Sequence, residues 1–545
     1  MQKISILLSF ISFSLSAQQP VMVTDINLGA AHAFQLGEIY APAEKINRIA
    51  FQDKICFSAT TPTTGYELWV SDGTPSGTLM VKDIRPGTAG SDITEMTVSN
   101  GKLFFIANDG ISGRELWVTD GTETGTQLVR DIRPGTSGSA VSYLTSSNDA
   151  LYFVATNSNG KGGIWKTDGT ESGTVEIAPG TDYGPGGPIQ LAEMGGRIYF
   201  GAAKRFLWVT DGTDTGTKIV KDFTSSGTGI EALKPMYSYG NKLYFSADAS
   251  GAFNNEPWVS DGTEAGTFKL KEIVTGSQSS HPDKFFGFKG FVYFSANQKF
   301  YRTNGTTTGT TLFKSLQVSY ASNDQVYFVA DANYLYFSGD DGFKGKELWR
   351  TDGTVEGTQM IKNIDPTSFS SEPGQMIIGS DGLLYFNALV DGKYQLWKSD
   401  GTEAGTVKLT NLNLSTGLYL PQYPVMVGSI LFYIADDGVS GRELWKLPLI
   451  SDTDSPEWVE GLFTATPNPA DNELQLAFSN VEEVIEGKTI VQIIDLQGRV
   501  AIVNQWPNPF FTTLRLSVSD LLPGVYMAKA ISGQRIFTQK IIIVH

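Results

Sequence analysis

RELWVTDGTETGT, Arg114 to Thr126, holds the pattern that decides the fold: a tryptophan followed three residues later by Asp-Gly-Thr. The anchors of the repeat are Trp69, Trp117, Trp165, Trp208, Trp258, Trp349, Trp397 and Trp445, the last without an Asp-Gly-Thr after it, with Tyr301 in the tryptophan's place between Trp258 and Trp349. Successive anchors are 48, 48, 43, 50, 43, 48, 48 and 48 residues apart. A fixed period of that size belongs to propeller blades or to a solenoid.

Each unit also carries an apolar triplet such as Leu103-Phe104-Phe105 or Leu384-Tyr385-Phe386, and a short strand such as VKDI, Val81 to Ile84. Short runs of β-branched and aromatic residues bounded by Gly, Asn, Asp and Ser read as strands. The triplets are apolar on both faces, so both faces must be covered, as happens when sheets stack around an axis. A further strand fits upstream of each triplet, for example Ile93 to Val98, joined by a turn such as Asn100-Gly101. The expectation is all-β, with four antiparallel strands per unit.

The ends of the repeat decide between ring and solenoid. Val23-Thr24-Asp25-Ile26 is a copy of the third piece that precedes any tryptophan segment, and the last tryptophan segment, Glu443 to Lys446, is followed by none. Pairing the two would finish a blade and cover an open sheet edge. We therefore expect a closed β-propeller of about nine four-stranded blades over residues 21–447. Eight blades with one unit displaced is the alternative, and the unit around Tyr301, with Asn304 replacing the usual aspartate, is the one that fits least well.

The chain has 545 residues, 59 of them glycine, a hydrophobic fraction of 41% and a formal net charge of -16. It can bury a large core. The acidic balance and the absence of any Lys/Arg run argue against nucleic-acid and anionic-membrane partners. Residues 1–17 have the layout of a secretory signal peptide, with cleavage expected after Ser16 or Ala17. No later apolar run approaches the ~20 residues of a membrane span. Cys56, the single cysteine, lies inside the first triplet and reads as a buried core residue.

Periodicity stops after Trp445. Residues 448–463 read as an acidic linker, and 464–545 as a small Ig-like β-sandwich of about seven strands. Pro467 to Pro469, the Asp495 to Arg499 segment and Gly524-Val525-Tyr526, in that order, resemble the type A C-terminal sorting domain of the type IX secretion system. That resemblance implies the type IX machinery as a partner, export through the periplasm, and release or anchoring at the cell surface. The repeats over Val21 to Leu447 resemble the family named for its ELWxxDGT motif, also labelled hyalin-like; Tyr301, Asn304 and the truncated last unit depart from it. The resemblance implies location and architecture and supplies no catalytic chemistry.

The residues themselves give no catalytic set. The Asp-Gly-Thr aspartates read as turn formers, because a catalytic group is seldom repeated in every blade. The tryptophans read as packing residues. The histidines, His32, His281 and His545, neighbour no nucleophile motif, and no Gly-x-Ser-x-Gly elbow or phosphate-binding loop occurs. With four antiparallel strands, the loops after the second and fourth strands share one face of the ring, and they vary most along the chain. That face is the candidate binding surface for an extracellular glycan or protein, with Tyr183, Phe253, Asn254, Asn255, His281, Asp340, Asp341, Tyr419, Asp436 and Asp437 as candidate residues. Calcium is the one ion its acidic turns suggest, but the Asp-x-Asp-x-Asp-Gly spacing is missing, so no metal or cofactor is expected. A non-catalytic, secreted or surface-displayed binding and adhesion protein is the first reading. A structural cell-surface component is the second, and a carbohydrate-active propeller enzyme the third.

Overall fold

A computed structural model describes residues 20–29, 31–34, 47–184, 187–203, 205–223, 236–248, 254–318, 328–366, 370–410 and 422–449 of one compact unit. In a second unit it describes residues 457–458, 463–466, 472–478, 489–495, 500–506, 513–519, 521, 523–532 and 535–544. The expected signal peptide lies outside the described residues.

The first unit contains nine four-stranded antiparallel sheets. Blade 2 is representative: Thr94–Ser99, Lys102–Asn108, Arg114–Thr119 and Gln127–Leu128, hydrogen-bonded in sequence order. The eight-bladed alternative fails. The unit around Tyr301 is a regular blade of Asp283–Phe288, Phe291–Ala296, Lys299–Thr303 and Thr311–Lys314, because Tyr301 pairs with Phe294 and fills the tryptophan's place. In every blade the anchor sits across from the last residue of the triplet, from Phe57 and Trp69 through to Tyr433 and Trp445. These rings lie nearly parallel where they stack, as for Phe200 and Trp208, 6.2 Å apart at 11°. Such cross-strand aromatic pairs add to the stability gained by burial.

Closure follows from the two incomplete ends. Val21–Thr24 pairs with Arg442–Pro448, Val21 opposite Lys446 and Thr24 opposite Leu444, and becomes the outer strand of blade 9. An apolar layer then fills each of the nine gaps between neighbouring blades. The closing layer joins Val23, Phe432, Ile434 and Leu444 of blade 9 to Ile55, Phe57 and Ala59 of blade 1. The first strands touch one another near the axis, including the first strand of blade 9, Gln422–Val427, against that of blade 1, Arg48–Phe51. Those inner edges carry unpaired backbone groups. In six blades the inner strand breaks register by a bulge, and in five of these a non-glycine residue turns left-handed there: Glu95, Tyr143, Gln190, Lys284 and Gln375, with φ of 49–58°. Bulges blunt strand edges against foreign pairing, and the channel is where nine edges converge.

The Asp-Gly-Thr segments are the hairpins between the third and fourth strands. Asp120 Oδ1 accepts from the Thr122 N–H at 2.9 Å and the Thr122 hydroxyl at 2.7 Å, and Thr122 Oγ1 accepts from the Gly125 N–H at 3.0 Å. Gly121 has φ +92°, and a Cβ on Gly125 would stand 2.0 Å from Asp120 Oδ1, so neither glycine position admits a side chain without rearrangement. A basic side chain from the preceding blade caps each of several hairpins: Lys82 donates to Thr126 O at 2.8 Å and Arg130 to Thr174 O at 2.7 Å. The aspartates are thus structural. Cys56 is fully buried, and burial pushes its thiol up to about 12.

In the second unit a five-stranded sheet runs in the order Glu457–Trp458, Arg535–Ile543, Gly524–Ser532, Thr489–Asp495, Val500–Trp506. A three-stranded sheet holds Phe463–Thr466, Glu473–Phe478 and Thr513–Ser517. That makes eight strands among the described residues where the sequence suggests about seven. The additional one, Glu457–Trp458, lies in the stretch read as linker and pairs parallel with Arg535 and Ile536. Leu449 is buried with the blade 8 and 9 core, so the propeller unit runs to that residue.

Two predictions test this reading. Deleting Val21 to Ile26 removes the outer strand of blade 9 and part of the closing layer; the protein should melt earlier and self-associate through the bared Arg442–Pro448 edge, as light scattering will register. Asp120→Asn should be nearly neutral in urea denaturation, because Asn304 already makes the same contacts, accepting from the Thr306 N–H and hydroxyl at 3.1 and 2.7 Å. Asp120→Ala should cost about 1 kcal/mol.

Candidate functional site

The ring has two unlike faces. In blades 1 to 8 the chain turns back at one face through the Asp-Gly-Thr hairpins. In blade 9 that position is occupied by the ends of the propeller: the third strand leaves at Pro448 and the outer strand enters at Val21. The opposite face is built from the loops after the second strands and from the crossovers to the next blade.

The loops after the second strand in blades 2, 7 and 9 share one design, NDGISG, DDGFKG and DDGVSG. In blade 2, Asn108 Oδ1 accepts from the Gly110 N–H at 2.8 Å, and Asp109 Oδ1 accepts from the N–H groups of Ile111 and Ser112 at 2.8 and 2.7 Å. Asp340 and Asp341 repeat this with Gly342, Phe343 and Lys344, and Asp436 and Asp437 with Gly438, Val439 and Ser440. The carboxylates are therefore engaged by their own turns. Among the described residues no three His, Cys, Asp or Glu side chains converge as metal ligands.

What these turns hold out is apolar. Phe343, Ile111 and Val439 are 84%, 76% and 73% exposed, and Leu28, in the crossover that follows the outer strand of blade 9, is 76% exposed. No other large hydrophobic among the described residues exceeds 57%. All four stand on the loop face. The sequence carried a signal for three of them, an apolar residue directly after the Asx-Gly turn, which an eye set on the acids passes over.

The individual candidate residues separate. Tyr183 is a correction: it is 3% exposed and packs edge-on against Phe200 and Trp208 at 5.7 and 5.4 Å. Burial raises its hydroxyl to about 12. Asn254 is also buried, donating to Glu272 Oε1 at 3.0 Å and Gly276 O at 2.7 Å. Asn255 is half-buried, and its carbonyl receives the Ser280 N–H at 3.0 Å. Asp340 and Asp436 are buried, whereas Asp341 and Asp437 are half-buried beside the apolar tips. His281 is exposed at the start of the blade 6 inner strand with φ 48°. Phe253 and Tyr419 lie outside the described residues. The described members of the set belong to loops of one face and divide between buried and exposed positions.

The crossovers are fastened by glutamates that open the third strand, a role the sequence reading missed. Glu67 Oε2 accepts from the Ile84 N–H at 2.9 Å. Glu115 takes the Arg133 N–H at 3.4 Å and the Ser139 hydroxyl at 2.5 Å. Glu256, Glu347 and Glu443 act alike on Ile273, Ile364 and Ile26, each at 3.0 Å. A glutamate two residues before the anchor tryptophan, in Glu-Leu-Trp four times and in Glu256-Pro257-Trp258 once, was the available signal.

Residues 465–544 match the family model described as a secretion system C-terminal sorting domain. No curated protein matches the chain. Among solved structures, the chain is similar to the computationally designed Ika8 protein, at 16% identity and TM-score 0.38, covering 65% of this chain and 96% of that one. It is similar to an uncharacterized protein from Listeria monocytogenes EGD-e at 10% identity and TM-score 0.34, covering 70% and 100%. It is also similar to a puromycin-hydrolyzing peptidase of Mycobacterium tuberculosis at 13% identity and TM-score 0.31, covering 62% and 58%. No helix among the described residues is long and apolar enough to cross a membrane. The sorting tail indicates handling by the type IX machinery and export to the cell surface or the medium, with a nine-bladed propeller as the part exported alongside it.

Proposed function

We propose that this chain is a surface-displayed, non-catalytic binding and adhesion protein of the ELWxxDGT repeat kind, carried out by an Ig-like type A sorting tail, which engages an extracellular glycan or protein through its loop face. One observation carries the reading: the four most exposed large apolar side chains among the described residues stand on the face opposite the ends of the propeller. Apolar side chains held out by Asx turns suit anchoring contacts better than a solvated surface does. A structural role at the cell surface draws on the same tips, which would then meet further copies of the chain.

The mature protein should bind specific members of a glycan and matrix-protein array. Replacing Ile111, Phe343 and Val439 together by serine should weaken that binding by roughly tenfold or more, since a truncated anchor costs above 1 kcal/mol, while the melting temperature stays unchanged. Binding indifferent to the three substitutions would move the site elsewhere. Silence on the array, with sedimentation that shifts on the same substitutions, would establish the structural role instead. A truncation after Phe463 should remain folded and periplasmic, and its appearance at the cell surface would break the link between tail and export.

A further inference from the structure

The five crossover glutamates stand opposite a second oxygen side chain. In blade 1 Leu68 pairs with Lys82, which places Glu67 across from Asp83 on the next rung. Leu348 with Lys362 sets Glu347 across from Asn363, and Leu444 with Thr24 sets Glu443 across from Asp25. In blades 2 and 5 the same relation brings Glu115 to Asp131 and Glu256 to Glu272. The five glutamates are at most 1% exposed. Glu67 Oε1, Asp83 Oδ1, Asp131 Oδ1, Glu347 Oε1, Asn363 Oδ1 and Asp25 Oδ1 are all buried without a hydrogen-bond partner. Two facing carboxylate oxygens are both acceptors, and only a proton on one lets them bond.

Burial acts most strongly on all five, and the charged neighbours that act on them are Asp83 on Glu67, Asp131 on Glu115, Glu272 on Glu256, Asp365 on Glu347 and Asp25 on Glu443, each an acid. Asp109 of the neighbouring loop acts in turn on Asp131, and Lys269 pairs with Glu272. Two blades of the same chain act as internal controls. In blade 4 the glutamate is replaced by Phe206, directly paired with Asp222, and there the aspartate is met by Arg205, whose Nε lies 2.6 Å from Oδ1. In blade 8 the position holds the neutral Gln395, whose Oε1 accepts from the Thr410 hydroxyl at 2.7 Å.

We propose that Glu67, Glu115 and Glu443 bind a proton at neutral pH and donate it to the cross-strand Asp83, Asp131 and Asp25, so that each pair is a proton-dependent fastener of the loop face. Deprotonation places two like charges in a buried site and loosens the crossover that the glutamate holds. Burial is the leading cause that raises all five, bringing Glu67 and Glu115 to about 7 and Glu443 to about 8, with the neighbouring acid adding to it. An acid raised in the folded state stabilises most below its unfolded value of roughly 4.3. That contribution is lost as pH rises through the folded value. The inference holds whether or not the loop face binds a ligand.

Infrared difference spectroscopy of the intact mature protein in D2O tests it directly. A protonated-carboxyl C=O band should be present at pH 6.5 and disappear with a midpoint between 7 and 8, and the melting temperature should fall between pH 5.5 and 9. Glu67→Gln and Glu115→Gln, which keep a donor, should each reduce the band and flatten the fall in melting temperature. Absence of the band at pH 6.5 in the unsubstituted protein, or a melting temperature flat from pH 6 to 9, overturns the proposal without need of any variant.

Discussion

Eight of the blades are assembled from consecutive chain, and the ninth from its two ends. The pairing of Val21–Thr24 with Arg442–Pro448 is therefore the contact on which the architecture depends, because it turns a stack of repeats into a ring. Without it, blade 9 would show a bare outer edge and blade 1 would lose its neighbour across the layer of Phe57, Ile434 and Leu444. The same pairing fixes where the chain enters and leaves. Both points fall on the Asp-Gly-Thr side.

The two faces then take different chemistry from the same repeat. On the hairpin side, aspartate, threonine and glycine are consumed within the turn, and the Gly73 hairpin closes against Phe432 of blade 9, where an added Cβ would stand 3.2 Å from the ring. Repetition there is a mark of structure, since each hairpin must pack on the blade before it. On the loop side the Asx turns fix the backbone but leave the following side chain unsupported, and the chain places Ile, Phe or Val in that position. A turn that satisfies all its polar groups internally presents its apolar tip at little cost in order.

The fold was largely legible because its determinants are local and periodic. The tryptophan anchors, the two-sided triplets and the complementary ends each imposed one geometric requirement, and a nine-bladed ring satisfies all of them. Tyr301 looked like a misfit because residue identity was given more weight than position; pairing with Phe294 requires only an aromatic ring. The inner-strand bulges carry no common residue, since Glu95, Tyr143, Gln190, Lys284 and Gln375 share a backbone shape and no side-chain chemistry. The site was less legible. Tyr183 sits in a loop rich in glycine and proline, which reads as surface, yet its ring closes the layer between blades 3 and 4. Exposure is a property of what packs above a residue, and sequence spacing does not report it.

The two repeated acids of this chain pull against each other in pH. The hairpin aspartates, such as Asp120 and Asp211, are held below the usual carboxylate range chiefly by the threonine hydroxyl and N–H that donate to them. A depressed acid contributes stability above its unfolded value, roughly 3.9, and loses it as pH falls through the folded one. The crossover glutamates run the other way, strongest in acid and weakest above neutrality. Acid therefore attacks the hairpin face first and alkali the loop face first. Between them lies a mildly acidic window in which both sets are satisfied, and the face that a partner would meet is the one whose order depends on staying within it.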